Sequence, residues 1–335
     1  MDLADVPRRR PTIEDVAAAA GVSRQTVSRA INQKGEIHPD TRVRVMAAIE
    51  RLGYRPNRLA QGMVTRRTST VALVAGDIRN PFFGEVAHGA GELLRSCGYR
   101  LLMVDTYEDA DREIGALREL AHDVDGIIAF LYHSGEESLR SVATTVPALV
   151  VLNREVALPG APTLTIDLPA GGRMVAEHLI ERGHRRLAVV VNQQQSPGVG
   201  RRVGGFISAA RAAGLAEVVR LPALPTMLGG SALGDVLLDQ HPQVSGVFAY
   251  NDLVAAGLIA ALRRRGVRVP ADVAVVGCDD IQLAEVWEPP LTTIRVGPER
   301  VGEIAARHVL SLLGAGDPLP EQERIGVELV VRGSS

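Results

Sequence analysis

Residues 12–57 read TIEDVAAAAGVSRQTVSRAINQKGEIHPDTRVRVMAAIERLGYRPN, and their apolar residues recur at helical spacing. Thr12 followed by Asp15 is a capping-box pattern, which begins a first helix that runs to Ala20. Apolar side chains fall on one face of this helix, at Ile13, Val16, Ala17 and Ala20. The stretch therefore opens with a short amphipathic helix.

Two further helices follow within the same stretch. Gly21 permits a tight turn, Ser23 is a favourable N-cap, and a second helix is predicted over 24–32. A third helix begins at Pro39 and ends near residue 53, with apolar residues at the i, i+3, i+4, i+7 spacing. Two short helices joined by a glycine turn and packed against a third form a helix-turn-helix.

The charge of this region indicates its partner. Residues 1–67 contain 13 Lys and Arg against 7 Asp and Glu, whereas the remainder contains 24 against 32. Such a basic segment on an acidic body is typical of a DNA-binding unit joined to a soluble sensor. The second helix turns Arg24, Gln25, Ser28, Arg29 and Asn32 outward. Because Arg and amide side chains pair with guanine and adenine edges, we expect this helix to bind the major groove.

Composition excludes several other classes of protein. The 335 residues are 46% hydrophobic, enough for a large core, but no run of eighteen apolar residues occurs. The first residues lack the apolar segment of a signal peptide, and two cysteines are too few for a disulfide framework. The eight histidines show no metal-ligand spacing. We therefore expect a cytoplasmic protein without metal, cofactor or membrane anchor.

From Val71 onward, short β-rich runs alternate with helical segments. The strands are predicted at TVALVAGD, RLLMVDTY, GIIAFLY and ALVVLN, and then at LTID, RLAVVV, GVFAY and VAVVGCDD. This alternation predicts two doubly wound parallel sheets. The run GVGRRVG at 198–204 resembles a dinucleotide-binding loop only loosely, because its glycines are spaced GxGxxxG. The sequence therefore does not favour a nucleotide-dependent enzyme.

Two motifs carry a resemblance to a known family. The runs DVAAAAGVSRQTVSRAIN (15–32) and TRVRVMAAIERLGYRPNRLAQ (41–61) closely resemble the head of the LacI/GalR, or lactose-repressor, family of transcription regulators. The resemblance implies an N-terminal all-α helix-turn-helix headpiece and an α/β core of two doubly wound parallel-sheet lobes, as in type I periplasmic-binding proteins. The domains so predicted are a DNA-binding domain (10–56), a hinge helix and linker (57–70), and a core (71–335) with lobe 1 at about 71–166 and 295–322 and lobe 2 at about 167–294 and 323–335.

By the same resemblance, Arg24 and Gln25 choose the operator bases. A hinge helix at 57–64 folds on DNA and wedges Met63 into the minor groove, while Gly62 keeps that helix marginal. His38 stands where the family usually has a serine cap, so the third helix is expected to start less firmly. The predicted DNA-binding residues are Thr12, Ser23, Arg24, Gln25, Thr26, Ser28, Arg29, Asn32, Tyr54, Asn57, Arg58 and Met63.

Polar and aromatic residues collect where the predicted strands end, which is where parallel sheets bind ligands. The predicted ligand-binding residues are Asp77, Asn80, Phe82, Phe83, Asn153, Arg202, Asn251, Asp279 and Trp287. Carboxylates, amides and an arginine beside aromatic rings suit a polyol or sugar. Structural alternatives remain for single residues: Asn251 as a helix cap, for example, or Trp287 in the core. Asn153 stands where many family members have Asp.

Together these patterns predict a transcriptional repressor. It would bind a palindromic operator as a homodimer and be released by a small ligand, a sugar by preference. The alternative within the family is a regulator whose DNA binding is tightened by a purine or a phosphoprotein. A periplasmic transport receptor shares the core fold, but the basic helix-turn-helix segment argues against it.

Overall fold

The computed structural model describes residues 11–32, 37–54, 67–193 and 200–335. The chain forms two compact units, which divide between Thr68 and Ser69. Helices alone make up the described part of the first unit, whereas the second contains two six-stranded sheets. The fold is thus an all-α unit followed by a two-sheet α/β unit.

Three helices form the described part of the first unit, which we call the head. They are α1 (Ile13–Ala20), α2 (Arg24–Asn32) and α3 (Pro39–Leu52). The predicted capping box is confirmed: the Asp15 carboxylate accepts hydrogen bonds from the Thr12 N–H and hydroxyl at 2.7 and 2.8 Å. Val16, Val27 and Val45, one from each helix, have no exposed surface and form the centre of the small core. The apolar spacing therefore produces the three-helix unit that the sequence predicts.

The ends of the head helices follow local sequence signals. Gly21 and Gly53 adopt left-handed φ values of 64° and 63° and terminate α1 and α3. At the start of α3, His38 makes no capping hydrogen bond, as its replacement of the family's serine predicts. Pro39 in the first turn remains as the start signal.

The second unit contains two lobes, each built on one sheet. Lobe 1 has strand order β11-β5-β4-β3-β1-β2, and all its strand pairs are parallel. Its strands are β1 (Thr70–Ala75), β2 (Arg100–Asp105), β3 (Gly126–Phe130), β4 (Leu149–Leu152), β5 (Thr163–Ile166) and β11 (Gln322–Ile325). Its helices are α4 (Pro81–Ser96), α5 (Ala110–Leu120), α6 (Glu136–Ala143) and α11 (Pro298–Leu312).

Lobe 2 repeats this plan with strand order β12-β10-β9-β8-β6-β7, and only the β10–β12 pair is antiparallel. Its strands are β6 (Leu187–Asn192), β7 (Val218–Ala223), β8 (Gly246–Phe248), β9 (Ala274–Asp279), β10 (Thr292–Arg295) and β12 (Glu328–Val330). Its helices are α7 (Leu168–Glu181), α8 (Arg201–Ala212), α9 (Met227–Gln240) and α10 (Asp252–Arg264), with a 3-10 turn at Gln282–Glu285.

The chain crosses between the lobes three times, and two of these crossings differ from the predicted boundaries at 294/295 and 322/323. Arg295 still pairs with β9 in lobe 2, and β11 pairs with β5 of lobe 1 as far as Ile325. Near the end of the chain, β11 and β12 are two short strands separated by Gly326 and Val327, and they join different sheets. The sequence pattern does not show which sheet such a strand joins.

Strand β7 was missed by the sequence analysis. It contains Arg220 and Pro222, and only two of its six residues are buried. Both features follow from its position at the edge of the lobe 2 sheet, where a proline does not break a ladder and one side faces solvent.

Glycines allow α7 and α8 to pack with their backbones in contact. A Cβ atom at Gly172 would collide with the carbonyl oxygen of Arg202, and one at Gly205 with that of Pro169. Because any side chain at these positions would push the helices apart, the two glycines determine where the first turn of α8 lies. That turn contains Arg202, which lines a cavity of the second unit.

Candidate functional site

The predicted reading surface of the head is exposed to solvent. Arg24 and Gln25 are exposed in the first turn of α2, and the Arg24 side chain retains 71% of its accessible surface. Arg29 is also exposed, while Ser28 is partly buried. The Ser23 hydroxyl caps α2 by accepting the Thr26 N–H at 3.2 Å, and the two hydroxyls lie 3.0 Å apart. The start of α2 is therefore a capped helix end with exposed long side chains beside it.

Glu14 is a residue of this surface that the sequence analysis did not select. Its carboxylate lies 3.5 Å from the Arg24 guanidinium. Burial and the charge of Glu14 raise the pKa of Tyr54, while Arg24 opposes the shift. Glu14, Arg24 and Tyr54 are thus near neighbours, and the start of α1 contributes to the surface formed by α2. The signal was present in the helical spacing, which puts Glu14 on the exposed face of α1.

The remaining predicted DNA-binding residues have other positions. The Thr12 side chain is engaged in the capping box of α1. Asn32 is the last residue of α2, and the structure does not describe its side chain. Asn57, Arg58, Gly62 and Met63, with the whole predicted hinge helix 57–64, lie outside the described residues. Those assignments stay predictions.

A cavity lies between the two sheets of the second unit, where strands β1 to β4 of lobe 1 and β8 and β9 of lobe 2 end. The space between its lining side chains, open solvent included, is about 580 Å³. It is lined by Asp77, Asn80, Phe82, Phe83, Glu108, Tyr132, Asn153, Ile166, Leu168, Arg202, Pro225, Tyr250, Asn251, Asp279 and Val296.

Eight of the nine predicted ligand-binding residues thus come together in one cavity, although they are distributed between residues 77 and 279. The exception is Trp287. It is partly buried and packs against the hydrophobic cores on both faces of the lobe 2 sheet. The Trp287 ring therefore packs in the core, which is the alternative that the sequence allowed. Trp287 does not line the cavity, so its predicted ligand contact is not supported.

Arg202 and Asp279 are the buried charged pair of this cavity, 8% and 7% exposed. The Arg202 guanidinium lies 4.5 Å from the centre of the Tyr250 ring and donates to the Tyr250 carbonyl oxygen. Its Nε is buried without a partner among the described residues. Burial raises the pKa of Asp279, Arg202 opposes this, and the nearby Asp252 carboxylate adds to it. The pair thus combines an unsatisfied donor with an acceptor that is easily protonated.

Asp252 has a structural role beside this pair. It is fully buried and accepts hydrogen bonds from the Ile281 N–H at 3.0 Å and from the Thr293 hydroxyl at 2.5 Å. Burial raises its pKa as well. These bonds tie α10 to β10 and to the turn after β9, and so hold Asp279 in place at the end of β9.

Two asparagines of the lining also cap helices. Asn80 accepts the Phe82 N–H at 3.1 Å, and Asn251 accepts the Val254 N–H at 2.9 Å while donating to the Pro225 carbonyl at 3.1 Å. The helix-cap role that the sequence allowed for Asn251 is therefore present, and Asn80 caps α4 in the same way. Asn80 in addition lies close enough to Asp279 of the opposite lobe to lower the pKa of that carboxyl.

Asn153 is a buried residue of the lining whose side chain has an unsatisfied hydrogen-bond acceptor. It is 2% exposed, has a left-handed φ of 60°, and its Oδ1 lacks a hydrogen-bond partner among the described residues. A buried unsatisfied acceptor is costly unless something supplies a donor. The amide that replaces the family's usual carboxylate is thus positioned to accept from a ligand hydroxyl.

Glu108, Tyr132 and Tyr250 are lining residues that the sequence analysis missed. Glu108 follows β2 and Tyr132 follows β3, so the strand-end rule applied to every strand in turn would have found both. Tyr250 directly precedes Asn251, which the sequence already predicted as a ligand-binding residue at the end of that strand. Ile166, Leu168, Pro225 and Val296 are apolar or backbone surfaces with no such signal.

Metal chemistry and membrane insertion find no support in the described part of the chain. No group of three or more His, Cys, Asp and Glu side chains there is arranged to hold an ion. Among the same residues, no helix is both long and apolar enough to cross a bilayer.

A helix-turn-helix head followed by two sheets around a polar cavity defines a ligand-responsive DNA-binding regulator. Residues 12–57 match the family model for bacterial regulatory proteins of the lacI family, and residues 176–335 match the periplasmic binding protein-like domain. The transcriptional regulator CelR of Thermobifida fusca is 36% identical over 98% of this chain and 99% of its own length. This chain belongs to the LacI family and is a transcription regulator, not an enzyme.

Solved structures agree with this assignment. A CelR–cellobiose complex has 35% identity and a TM-score of 0.70, and covers 97% of this chain and 100% of its own. The Lac repressor bound to ONPG in the repressed state has 25% identity and a TM-score of 0.85, over 98% of this chain and 100% of its own. The likeness therefore extends through head and lobes alike.

Proposed function

We propose that this regulator is a repressor that binds a palindromic operator as a homodimer and is released by a neutral sugar in the cavity, with cellobiose as the first candidate. The observation that carries the proposal is the cavity lining, which combines buried hydrogen-bonding groups with aromatic faces. Residues 10–56 would form the DNA-binding domain, 57–70 the hinge and linker, and the rest the sensor.

The polar half of the lining suits hydroxyl groups. Asn153 offers an unsatisfied acceptor, Arg202 an unsatisfied donor, and Asp279 a carboxyl group. Sugar hydroxyls donate and accept, so they match all three. A relative of similar length was solved in complex with cellobiose, and this points to a β-linked glucose disaccharide as the ligand.

The apolar half of the lining suits a sugar ring. Phe82 and Phe83 are 5% and 3% exposed, and both pack edge-to-face against Phe130 with ring centres 5.8 and 5.2 Å away. Tyr132 lies beside Phe130 at 5.9 Å. This rigid aromatic wall covers the C–H face of a pyranose, while the hydroxyls at its rim meet the polar side chains.

Contacts between the lobes provide the allosteric element. Besides Asn80 and Asp279, Glu155 of lobe 1 pairs with Arg201 of lobe 2, and the Glu85 carboxylate accepts the Gln282 N–H at 3.3 Å. A ligand that contacts both lobes stabilises their closed arrangement over an open one. We propose that this closure alters the dimer and unfolds the predicted hinge helix 57–64, so that the heads lose their register on the half-sites.

Exposed apolar side chains support the homodimer. Leu102 and Met103 on edge strand β2 are 42% and 37% exposed, and Leu224, Met227 and Leu228 after edge strand β7 are 46%, 47% and 83% exposed. Clusters of large exposed apolar residues mark interfaces more often than single ones. We propose that a second copy of this chain covers these surfaces, because each half-site of a two-fold operator binds one head.

We expect Leu228→Glu to shift the protein toward monomer, because a charge at this exposed position costs nothing in the isolated fold but must be desolvated in an interface. Sedimentation velocity at low micromolar concentration measures the change. Leu312→Glu, an exposed leucine at the end of α11, is the matched control and should stay dimeric. Unaltered dimerisation of the Leu228 variant would exclude this surface.

Release from DNA tests the whole proposal. With a labelled palindrome selected by the protein from random sequences, cellobiose should weaken operator binding about tenfold or more in fluorescence anisotropy. Maltose, which differs only in the anomeric linkage, is the control and should have a smaller effect. If adenine or guanine tightens binding instead, the protein is a corepressor-activated regulator and the sugar proposal is wrong.

A further inference from the structure

Glu108 is a charged residue of the cavity that the helix caps and the Arg202–Asp279 pair do not involve. One of its carboxylate oxygens lies 2.9 Å from Nε2 of His133, and the two side chains are only 16% and 7% exposed. Glu108 lines the cavity. The pair therefore sits at the cavity wall.

The backbone holds Glu108 in an unusual conformation. Tyr107 and Glu108 are consecutive non-glycine residues with left-handed φ values of 55° and 58°. The Glu108 N–H donates to the Gly76 carbonyl at 2.8 Å, and a Cβ on Gly76 would lie 2.7 Å from the Glu108 carboxylate. Strain of this kind persists where the surrounding structure enforces it, commonly at functional sites. Here it fixes Glu108 at the cavity wall.

His133 is held equally firmly from behind. The fully buried Glu113 accepts hydrogen bonds from the N–H groups of Tyr132, His133 and Ser134 at 2.8 to 3.2 Å. Arg154, 5% exposed, donates to the Leu131 carbonyl at 3.1 Å. This buried network orients the loop after β3, so that the imidazole of His133 meets the carboxylate of Glu108.

Acidic side chains outnumber basic ones in the described lining of the cavity. Among the described lining residues, Asp77, Glu108 and Asp279 are acidic, and Arg202 is the single base. A buried phosphate needs several positive or N–H partners to replace its hydration, and the Arg202 guanidinium is already stacked on Tyr250 and bonded to its carbonyl oxygen.

We propose that Glu108, oriented by His133, is a specificity residue that accepts hydroxyls of an unphosphorylated sugar and excludes phosphorylated sugars. The inference rests on the proposed sugar effector and refines it. One carboxylate can accept hydrogen bonds from the hydroxyls of the correct ligand and also repel an anionic ligand. Specificity needs both effects, a favourable contact with the right ligand and a penalty for the wrong one.

Calorimetric titration at pH 6 with cellobiose and 6-phosphocellobiose tests the assignment. The unchanged protein should bind cellobiose, and bind the phosphate ester about 100-fold more weakly. Glu108→Gln keeps the shape but removes the charge, so the preference for cellobiose should fall about tenfold or more. Glu119→Gln, on the exposed face of α5, is the matched control and should keep the preference.

His133→Gln separates positioning from simple structural damage. The amide can still donate to Glu108, but it carries no positive charge, so discrimination against the phosphate ester should increase while cellobiose binding is kept. A merely structural pair would make both variants lose affinity for both ligands, and that result would overturn the proposal. So would an unchanged preference in Glu108→Gln. If the unchanged protein binds no sugar, the proposed effector fails and this inference with it; equal binding of both sugars refutes only the role of Glu108.

Discussion

Asp279→Ala is expected to abolish release by sugar while operator binding without sugar stays within about twofold of the unchanged protein. Asp279 is buried at the end of β9, near Arg202 and near Asn80 of the opposite lobe. Truncating one partner of a buried charged hydrogen bond costs about 2–5 kcal/mol of binding free energy. The head is a separate unit, so its DNA contacts do not depend on this carboxylate.

Two further variants make this result decisive. Asp272→Ala removes a carboxylate that pairs with Arg268 on the surface, 2.6 Å away, and should leave release unchanged. Asp279→Asn keeps the side-chain shape and suits the left-handed φ of 128°, so it should fold normally and still lose most sugar affinity. Anisotropy titrations of operator against sugar measure all three. An Asp279→Ala protein released at the ordinary sugar concentration would remove Asp279 from the site.

Arg24→Ala is expected to relax operator specificity at one base pair in each half-site, at a cost of about 1–3 kcal/mol of discrimination. The Arg24 side chain is exposed at the start of α2 and reaches Glu14, which limits its orientation before DNA arrives. A guanidinium held in one direction pairs with a guanine edge through two parallel hydrogen bonds.

Binding to every single-base variant of the operator measures this effect. A selective loss at one position identifies a base contact, whereas uniform weakening over all sequences would make Arg24 a phosphate contact. Arg44→Ala, which removes an exposed arginine from α3, is the comparison and should not change the preferred sequence. Glu14→Gln should broaden the Arg24 preference slightly, because the neutral amide holds the guanidinium less firmly.

The head was predictable almost completely because its determinants are local. The Thr12–Asp15 capping box, the two left-handed glycines and the valines at helical spacing each act within a few residues. The missing cap at His38 was equally visible in the sequence. The hinge helix at 57–64 stays a prediction, and it too rests on a short segment of sequence.

The two lobes were predictable as a class but not in their connections. Alternating strands and helices predict parallel sheets, and polar residues at strand ends predicted most of the cavity. Strand β7 was missed because an edge strand needs only a weak apolar pattern, as Arg220 and Pro222 show. The boundary near 322 was misplaced because pairing with β5, and not composition, assigns β11 to lobe 1.

The sequence by itself thus determined a helix-turn-helix regulator with a ligand-binding core, since capping, periodicity and strand-end chemistry are properties of short segments. The tertiary structure alone decided which distant residues meet. It placed Trp287 in the core, brought Glu14 to Arg24, and fixed Glu108 with His133 at the cavity wall. These contacts depend on strand order and on backbone angles such as the left-handed φ of Glu108, which no local pattern encodes.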